Sequence, residues 1–175
     1  MRSNMYNRDI KALIFDWGDT VMRDFPEKSG PMAYWDRVEW IPGVERILEK
    51  FYKKYMMVIA TNAGASDTKD MIKALERIGA GKYFQYFFSS KDLGYQKPDP
   101  RFFTSIASHI GVLPENCVMI GNIYETDISG AKASGMLTIF FNERNINAFF
   151  PDADFVIKSF DQFSDFFSEQ EENQR

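Results

Sequence analysis

Short runs of apolar residues alternate with longer segments in which apolar positions recur every three or four residues. Five runs predict strands, and the first of them is expected to be buried on both faces, because polar residues do not alternate with its apolar ones. They lie at 13–15, 56–60, 86–89, 118–120 and 137–141, and a shorter run at 154–157 predicts an edge strand. Strands that alternate with helices indicate an α/β fold, with a parallel sheet covered by helices on both faces.

The segments between these runs have the apolar spacing of amphipathic helices. One of them begins at Asp99, an N-cap residue followed by a proline at the first helical position. A polar tail at 169–175 is expected to fray. We interpret the chain as one domain, residues 1–175, with its core at 10–158. The helices are predicted at 44–51, 71–78, 99–110, about 126–135 and 160–167.

The segment 21–41, between the first strand and the first helix, has no clear periodicity. It mixes Pro26 and Gly30 with several aromatic residues, among them Trp35 and Trp40. Loops of this length are commonly lids or binding loops. Two interpretations stay open: a small lid over a binding site, or a connection whose aromatic residues pack back onto the core.

The composition narrows the classes of function. The chain has 175 residues, of which 45% are hydrophobic, and a formal net charge of −4. This negative balance gives no reason to expect nucleic acid as the default partner. The first residues lack the apolar core of a signal peptide and no stretch is long enough to span a membrane, so we expect a cytoplasmic protein. The single cysteine, Cys117, lies in an apolar run and predicts a buried thiol. The single histidine, His109, falls on a predicted helix and is expected to be structural or exposed.

Polar side chains follow the predicted strands at the points where those strands end. Because the carboxyl ends of parallel strands share one edge of a sheet, we expect these groups to converge there. Asp16 alone would serve equally well as a turn residue, so the inference depends on the whole set. Oxygen ligands together with an ammonium group fit a magnesium ion and a phosphate better than an apolar ligand. The set comprises Asp16, Asp19, Thr61, Lys97, Asn122 and Asp127.

In order and type these residues resemble the four motifs of the haloacid dehalogenase superfamily, whose members are mostly phosphatases. The resemblance covers about 11–157 and includes W-I-P-G-V before the second motif and K-P-D-P at the third. It implies a three-layer, Rossmann-like core with a doubly wound parallel sheet. It also implies a nucleophilic Asp16 that forms an aspartyl phosphate, and phosphate binding by Thr61 with Asn62 beside it. Lys97 matches the lysine that neutralises the phosphate and the nucleophile.

The same resemblance implies Mg²⁺ as the cofactor. The run G-N-I-Y-E-T-D resembles the fourth motif, which places Asn122 and Asp127 at the two positions that hold the metal. Asp16 and the backbone carbonyl of Gly18 complete the implied ligands. Asn122 stands where an aspartate is usual, so one negative charge is lost and the affinity for magnesium is expected to fall.

The first motif also departs from the family pattern. Phosphatases of this family read D-x-D-x-T, whereas this chain reads D-W-G-D-T, so Gly18 occupies the acid/base position and Asp19 falls one residue later. General acid/base catalysis contributes roughly a hundred- to ten-thousandfold to a rate. We therefore expect a slow or restricted phosphatase, unless Asp19 takes over the proton transfer.

Neither of the two usual insertion points has room for a full cap domain. Only the 21 residues at 21–41 and the 34 residues at 63–96 separate the motifs there. The chain thus resembles a minimal-cap member of the family. Such an open site suits a large phosphorylated substrate, or a small one enclosed by the 21–41 loop or by a second subunit of a homo-oligomer.

The leading hypothesis is a magnesium-dependent phosphomonoester hydrolase. A pseudo-enzyme that binds phosphate without turning it over stays open. A dehalogenase or a phosphonate-cleaving enzyme is less favoured, because those members depend on cap residues that are missing here. A receiver-type phosphoacceptor domain shares an aspartate at a strand end, but the K-P-D-P and P-G-V stretches match the phosphatase pattern better.

Overall fold

A six-stranded sheet organises the protein. The computed structural model describes residues 8–62, 64–164 and 167. Its strands are β1 (Ala12–Phe15), β2 (Met56–Thr61), β3 (Tyr86–Ser89), β4 (Cys117–Gly121), β5 (Leu137–Phe141) and β6 (Phe155–Ile157). They lie in the order β3-β2-β1-β4-β5-β6, and every neighbouring pair is parallel. The predicted α/β fold with a doubly wound parallel sheet is confirmed.

All the described α-helices except α3 occupy segments in which the apolar spacing predicts a helix. They are α1 (Val44–Phe51), α2 (Thr68–Arg77), α3 (Ser90–Leu93), α4 (Pro100–Ile110) and α5 (Ser129–Ala133). The short helix α3 was not predicted, since four residues are too few to show a period. No helix in the described part of the chain is long and apolar enough to cross a membrane.

Two predicted helices differ in detail from the structure. The helix expected from about 126 begins as a π-helical turn, Tyr124–Ile128, that leads directly into α5. The last helix begins as a 3-10 turn, Phe160–Gln162. The tail at 169–175, which was predicted to fray, lies outside the described residues.

The sheet buries a separate core on each of its faces. Leu13 and Phe15 point to one face, where they pack with the apolar sides of α1 and α2. Ala12 and Ile14 point to the other face, towards α4 and α5. Successive side chains of a strand alternate between faces, so a strand covered on both sides must be apolar throughout. This explains the unbroken apolar runs in the sequence.

The segment 21–41 packs back onto the core of the α1 and α2 face. Val21, Met22, Phe25 and Trp35 are all buried there. The segment is fastened to α2, since the guanidinium of Arg77 donates hydrogen bonds to the carbonyl oxygens of residues 33 and 35 at 3.0 and 2.6 Å. We call residues 21–41 the strap. The described residues contain no large inserted domain.

The single cysteine and the single histidine lie away from the strand ends that carry the polar set. Cys117 begins β4 and is fully buried, and this burial raises the pKa of its thiol to about 12. His109 lies near the end of α4, is exposed, and pairs its Nδ1 with the carbonyl oxygen of Ser105 at 2.7 Å. The prediction of a buried thiol at Cys117 is confirmed.

The order of the strands places a crevice at the end of β1. This strand pairs with β2 on one side and β4 on the other, so the chain winds outward from it in both directions. Ligands of open parallel sheets bind at such a reversal, beyond the carboxyl ends of the strands. Asp16, Asn62 and Asn122 directly follow β1, β2 and β4.

Candidate active site

Three charged side chains meet in the interior beyond the end of β1. The ammonium group of Lys97 donates hydrogen bonds to Asp16 Oδ1 and Asp127 Oδ1, both at 2.6 Å. A third bond goes from the same nitrogen to the carbonyl oxygen of Ala60 at 3.2 Å, so all three donors of the lysine have a partner. Asp16, Lys97 and Asp127 are only 6%, 3% and 1% exposed. We call these three residues the Lys97 cluster.

The side chain of Asn62 holds Lys97 in place from the end of β2. Its amide Nδ2 donates to the carbonyl oxygen of Lys97 at 3.0 Å, and its Oδ1 accepts from the N–H of Lys97 at 2.8 Å. This pair of bonds fixes the backbone from which the lysine reaches the cluster. Asn62 thus positions Lys97, and its predicted contact with phosphate stays a prediction.

Two glycines make room for the cluster. A Cβ on Gly121 would lie 2.4 Å from Asp127 Oδ2, and one on Gly130 would lie 2.4 Å from the carbonyl oxygen of Pro98. Any side chain at Gly121 would therefore displace the Asp127 carboxylate. One at Gly130 would push away the loop that carries Lys97. The sequence marks both positions only as glycines near a motif, so their role was not predicted.

The cluster carries a net negative charge when both carboxylates are ionised, since one ammonium faces two of them. Burial raises the pKa of Asp16 to about 6, although Lys97 acts to lower it. Burial on its own would lower the pKa of Lys97, but the two carboxylates outweigh this effect and raise it. The lysine accordingly stays charged, and the interior beyond β1 favours one further positive charge.

Two of the predicted magnesium ligands, Asp16 and Asp127, belong to this cluster. Asn122 directly follows β4, and its Oδ1 accepts a hydrogen bond from Thr20 Oγ1 at 3.3 Å, which orients the amide. No three His, Cys, Asp or Glu side chains gather into a metal site among the described residues. The predicted set has only two carboxylates, Asp16 and Asp127, and its other donors are an amide and the Gly18 carbonyl. All four are oxygen donors, the kind that Mg²⁺ prefers, so the chemistry of the set fits that ion.

Asp19 lies outside the cluster. Its backbone has a φ of 52°, in the left-handed region that aspartate tolerates better than most residues. Asp19 Oδ1 accepts from Arg23 Nη1 at 3.2 Å and from the N–H of Asp24 at 3.0 Å. Arg23 also forms a bidentate pair with Glu143 at 2.6 and 2.7 Å, which raises the pKa of the arginine and lowers that of Glu143.

Two cavities open beside the site. A small one of about 60 Å³ is lined by Asp19, Arg23, Asn122 and Glu143 among others. A larger one of about 310 Å³ lies between the strap and the loop after β2. The described residues that line it are Trp17, Gly18, Asp24, Lys28, Gly30, Met32, Trp35, Thr61, Asn62, Gly64, Ala65 and Ser66.

Asp24 is the one carboxylic acid among the described residues that line the larger cavity. Asp24 is exposed as a whole, but its partial burial and the nearby Asp19 carboxylate raise the pKa of its carboxyl group. A hydrogen bond from the N–H of Phe25 acts in the opposite direction. Asp24 was not predicted as a site residue, because it belongs to no motif and lies in a segment without periodicity. Only the packing of the strap brings it to the cavity wall.

The structure brings most of the predicted site residues to one end of the sheet. Asp16, Lys97 and Asp127 are in direct contact, and Asn62 bonds to the lysine backbone. Thr61 and Gly18 line the larger cavity, and Asn122 and Asp19 line the smaller one.

Comparisons with known proteins identify the family and the fold of this chain. The sequence profile of the haloacid dehalogenase-like hydrolases matches residues 15–141. A glyceraldehyde 3-phosphate phosphatase of Methanopyrus kandleri is 37% identical over 65 residues, which is 37% of this chain and 28% of the relative. A ribulose-1,5-bisphosphate 5-phosphatase of Halopiger xanaduensis is 29% identical over 111 residues, or 63% of this chain and 45% of the relative. The chain therefore spans less than half the length of these curated relatives.

A solved structure shows the same fold over nearly the whole chain. The crystal structure of a protein from Listeria monocytogenes serotype 4b superposes with a TM-score of 0.81 at 20% identity. The match covers 93% of this chain and 99% of that one. At this identity the likeness concerns the fold.

Proposed function

The chain belongs to the haloacid dehalogenase-like hydrolase family, and we propose that it is a magnesium-dependent phosphatase whose nucleophile is Asp16. The Lys97 cluster is the observation that carries this proposal. A carboxylate at the end of a buried strand, held 2.6 Å from an ammonium group, has the chemistry of a nucleophile for phosphoryl transfer, and this supports the proposal. The curated relatives that match this chain are phosphatases of small phosphorylated metabolites, which supports the same reaction class.

In the proposed reaction the Asp16 carboxylate attacks the phosphoryl group and forms an aspartyl phosphate. Lys97 neutralises charge on the nucleophile and on the transferring oxygens, while the Thr61 hydroxyl binds the phosphate. Water then hydrolyses the aspartyl phosphate and restores Asp16. Most of the rate enhancement would come from position and from fixed charges, as is usual for phosphoryl transfer.

Magnesium would be held by Asp16, Asp127, Asn122 and the carbonyl of Gly18. When bound, the ion supplies positive charge next to the phosphoryl oxygens, where a single lysine faces two carboxylates. Because Asn122 is neutral, this site carries one negative charge fewer than a site with aspartate there. We expect magnesium to bind correspondingly less tightly.

The larger cavity is the place proposed for the remainder of the substrate. Its volume of about 310 Å³ suits a small phosphorylated molecule. Trp17 and Trp35 provide apolar walls, and Lys28 and Ser66 provide polar groups. The strap forms one side of this cavity, so the site can enclose a small substrate without a separate cap domain.

The test is hydrolysis of a panel of phosphomonoesters by the purified protein, with magnesium and with EDTA. We expect turnover that requires magnesium and that falls by at least about a thousandfold in Asp16→Asn. Glu115→Gln, an exposed carboxylate in the turn before β4, serves as the matched control. Turnover that persists in Asp16→Asn would overturn the proposed nucleophile.

A protein without turnover on any substrate would be tested for binding of inorganic phosphate by calorimetry. Binding that depends on magnesium and Lys97 would indicate the pseudo-enzyme instead of the phosphatase. Halide release from a 2-haloacid, without turnover of phosphomonoesters, would indicate the dehalogenase.

A further inference from the structure

The structure places the Asp24 carboxylate next to Gly18, the residue that stands at the acid/base position of the first motif. A Cβ built on Gly18 would lie 3.7 Å from Asp24 Cβ and 3.8 Å from Asp24 Oδ2. Gly18 and Asp24 line the same cavity, together with Thr61. The side chain of Asp24 therefore occupies the neighbourhood that a side chain on residue 18 would reach.

The other carboxylates of the site are engaged elsewhere. Asp16 and Asp127 both bond to Lys97, and Asp127 Oδ2 also accepts from the N–H of Ile123 at 3.0 Å. Asp19 bonds to Arg23 and to the N–H of Asp24, and it lines the smaller cavity. Of the acidic residues described around the site, Asp24 is the one that borders the space proposed for the leaving group.

We propose that Asp24 is the general acid and base of the reaction, in place of a carboxylate at position 18. The inference rests on the proposed phosphatase function, since a proton donor is needed only if a P–O ester bond breaks. A carboxylic acid positioned at a departing oxygen contributes roughly a hundred- to ten-thousandfold. Asp24 reaches the site from the strap, not from the end of β1.

The proton balance of the two steps is simple. In the first step Asp16 forms a bond to phosphorus, the ester P–O bond breaks, and the departing oxygen takes the proton of the Asp24 carboxylic acid. The products are an alcohol, an aspartyl phosphate and the Asp24 carboxylate. In the second step this carboxylate takes a proton from the water that attacks phosphorus, and the bond between phosphorus and Asp16 breaks. Inorganic phosphate leaves, and Asp24 is again protonated.

The position of Asp24 depends on how the strap is fastened. The N–H of Met32 donates to Ser66 Oγ at 3.3 Å, and the Cε of Met32 lies 3.8 Å from the point that a Cβ on Gly18 would occupy. The strap is also fixed to α2 through Arg77. These contacts hold the cavity wall that carries Asp24 against the loop after β2.

The test compares leaving groups in Asp24→Asn. An alkyl phosphate needs protonation of its leaving oxygen, whereas p-nitrophenyl phosphate releases a stable anion and needs little. We expect kcat/KM to fall at least about a hundredfold for the alkyl ester and less than about tenfold for the aryl ester. Loss of the base should also slow the second step, so the variant should release p-nitrophenolate in a burst of about one equivalent per enzyme.

Glu27→Gln, an exposed carboxylate of the same strap, is the matched control and should keep the wild-type ratio of the two substrates. Thermal melting of each variant separates a loss of folding from a loss of chemistry. An equal fall of kcat/KM for both esters in a folded Asp24→Asn variant would overturn the proposal. So would a selective loss for the alkyl ester in Asp19→Asn but not in Asp24→Asn.

A second variant tests the spatial argument directly. Gly18→Asp combined with Asp24→Asn returns a carboxylate to the same neighbourhood, and contacts of 3.7–3.8 Å leave room for its Cβ. We expect the alkyl ester to recover to within about tenfold of wild type, and no recovery in a folded double variant would count against the proposal. If the wild-type protein shows no activity that requires Asp16 and magnesium, both proposals are refuted. If that activity is present but the Asp24 variants do not show the expected selective loss, only the proposal for Asp24 is refuted.

Discussion

The Lys97 cluster and the turn at 19–24 lie side by side, yet they are built in different ways. The cluster lies beyond the end of β1, and its three charged residues are nearly inaccessible. Its bonds join Asp16 at the end of β1 to Lys97 in the loop before α4 and to Asp127 in the π-helical turn before α5. The turn lies at the start of the strap and is partly exposed, and its acidic groups face Arg23 and the backbone. One region is held by the sheet, and the other by a loop.

This difference shows which catalytic groups need a rigid position and which can come from a loop. A nucleophile and its counter-charge must stay within a fraction of an ångström of their working positions. The end of β1 holds Asp16, and the hydrogen bonds from the Asn62 side chain hold the backbone of Lys97. A proton donor can approach the leaving group from any loop that borders the cavity. Loops tolerate change more readily than the elements they connect. A chain with glycine at position 18 can thus keep the cluster and take its proton from the strap.

The largest effect should follow from removal of the lysine at the centre of the cluster. Lys97→Met leaves two buried carboxylates facing each other without a counter-charge. Breaking such a buried pair costs about 3–5 kcal/mol, so we expect the free energy of unfolding to fall by that amount and hydrolysis to disappear. Urea denaturation and the phosphomonoester assay measure the two effects.

Two further variants sharpen this prediction. Lys28→Met removes the lysine of an ion pair whose aspartate partner, Asp36, has a side chain 79% exposed, and it should cost no more than about 1 kcal/mol. Adding Asp127→Asn to Lys97→Met removes one of the opposed charges and should recover part of the lost stability. If Lys97→Met lowers the free energy of unfolding no more than Lys28→Met does, the buried ion pair is worth no more than the exposed one, and the contrast between the two regions is wrong.

A smaller loss is expected when the space for Asp127 is filled. The Cβ of Gly121→Ala would come within 2.4 Å of Asp127 Oδ2, so the carboxylate must move away from Lys97. Overpacking of this kind costs up to about 3 kcal/mol, and hydrolysis should fall more steeply than stability because the cluster is rearranged. Gly64→Ala is the control for stability, since its Cβ would meet no atom within 4 Å. Equal stability of the two variants would contradict the prediction.

These contrasts also show how far the sequence predicts the site. The unbroken apolar runs predicted the strands, and the polar residues after β1, β2 and β4 identified the edge of the sheet where Asp16, Lys97 and Asp127 meet. The positioning role of Asn62 was missed, because a hydrogen bond to the backbone of Lys97 leaves no pattern in the chain. Asp24 was missed for a related reason, since its place on the cavity wall depends on the path of a loop without periodicity.

A third prediction concerns the dependence of stability on pH in metal-free protein. The pKa of Asp16 is about 6 in the folded state and about 3.8 in the unfolded chain, so the folded state binds this proton more tightly. Protonated Asp16 therefore contributes to the free energy of unfolding at low pH. This contribution falls by roughly 2 kcal/mol as the pH rises from about 4 to about 6. Denaturation in EDTA across this range measures the slope.

Asp16→Asn isolates the contribution of this one carboxyl group. The variant cannot bind the proton, so its stability should decline less over the same interval than that of the wild type. Parallel slopes in the two proteins would show that another group is responsible.

Magnesium added near pH 7 should raise the melting temperature of the wild type but not of Asp127→Asn, because the ion supplies the positive charge that the proton no longer provides.

The smallest effect should come from the ion pair that borders the turn. Glu143→Gln removes one charge facing Arg23, and both side chains are partly exposed, at 35% and 27%. Pairs of this kind contribute about 0–1 kcal/mol, so stability should change by no more than that. Arg23 keeps its contact with Asp19, which continues to hold that carboxylate in the smaller cavity. Hydrolysis should then stay within about twofold of wild type for alkyl and aryl esters alike. A selective loss for alkyl esters would mean that the pair controls proton transfer, and that the acid of this enzyme belongs to the turn as a whole instead of to Asp24.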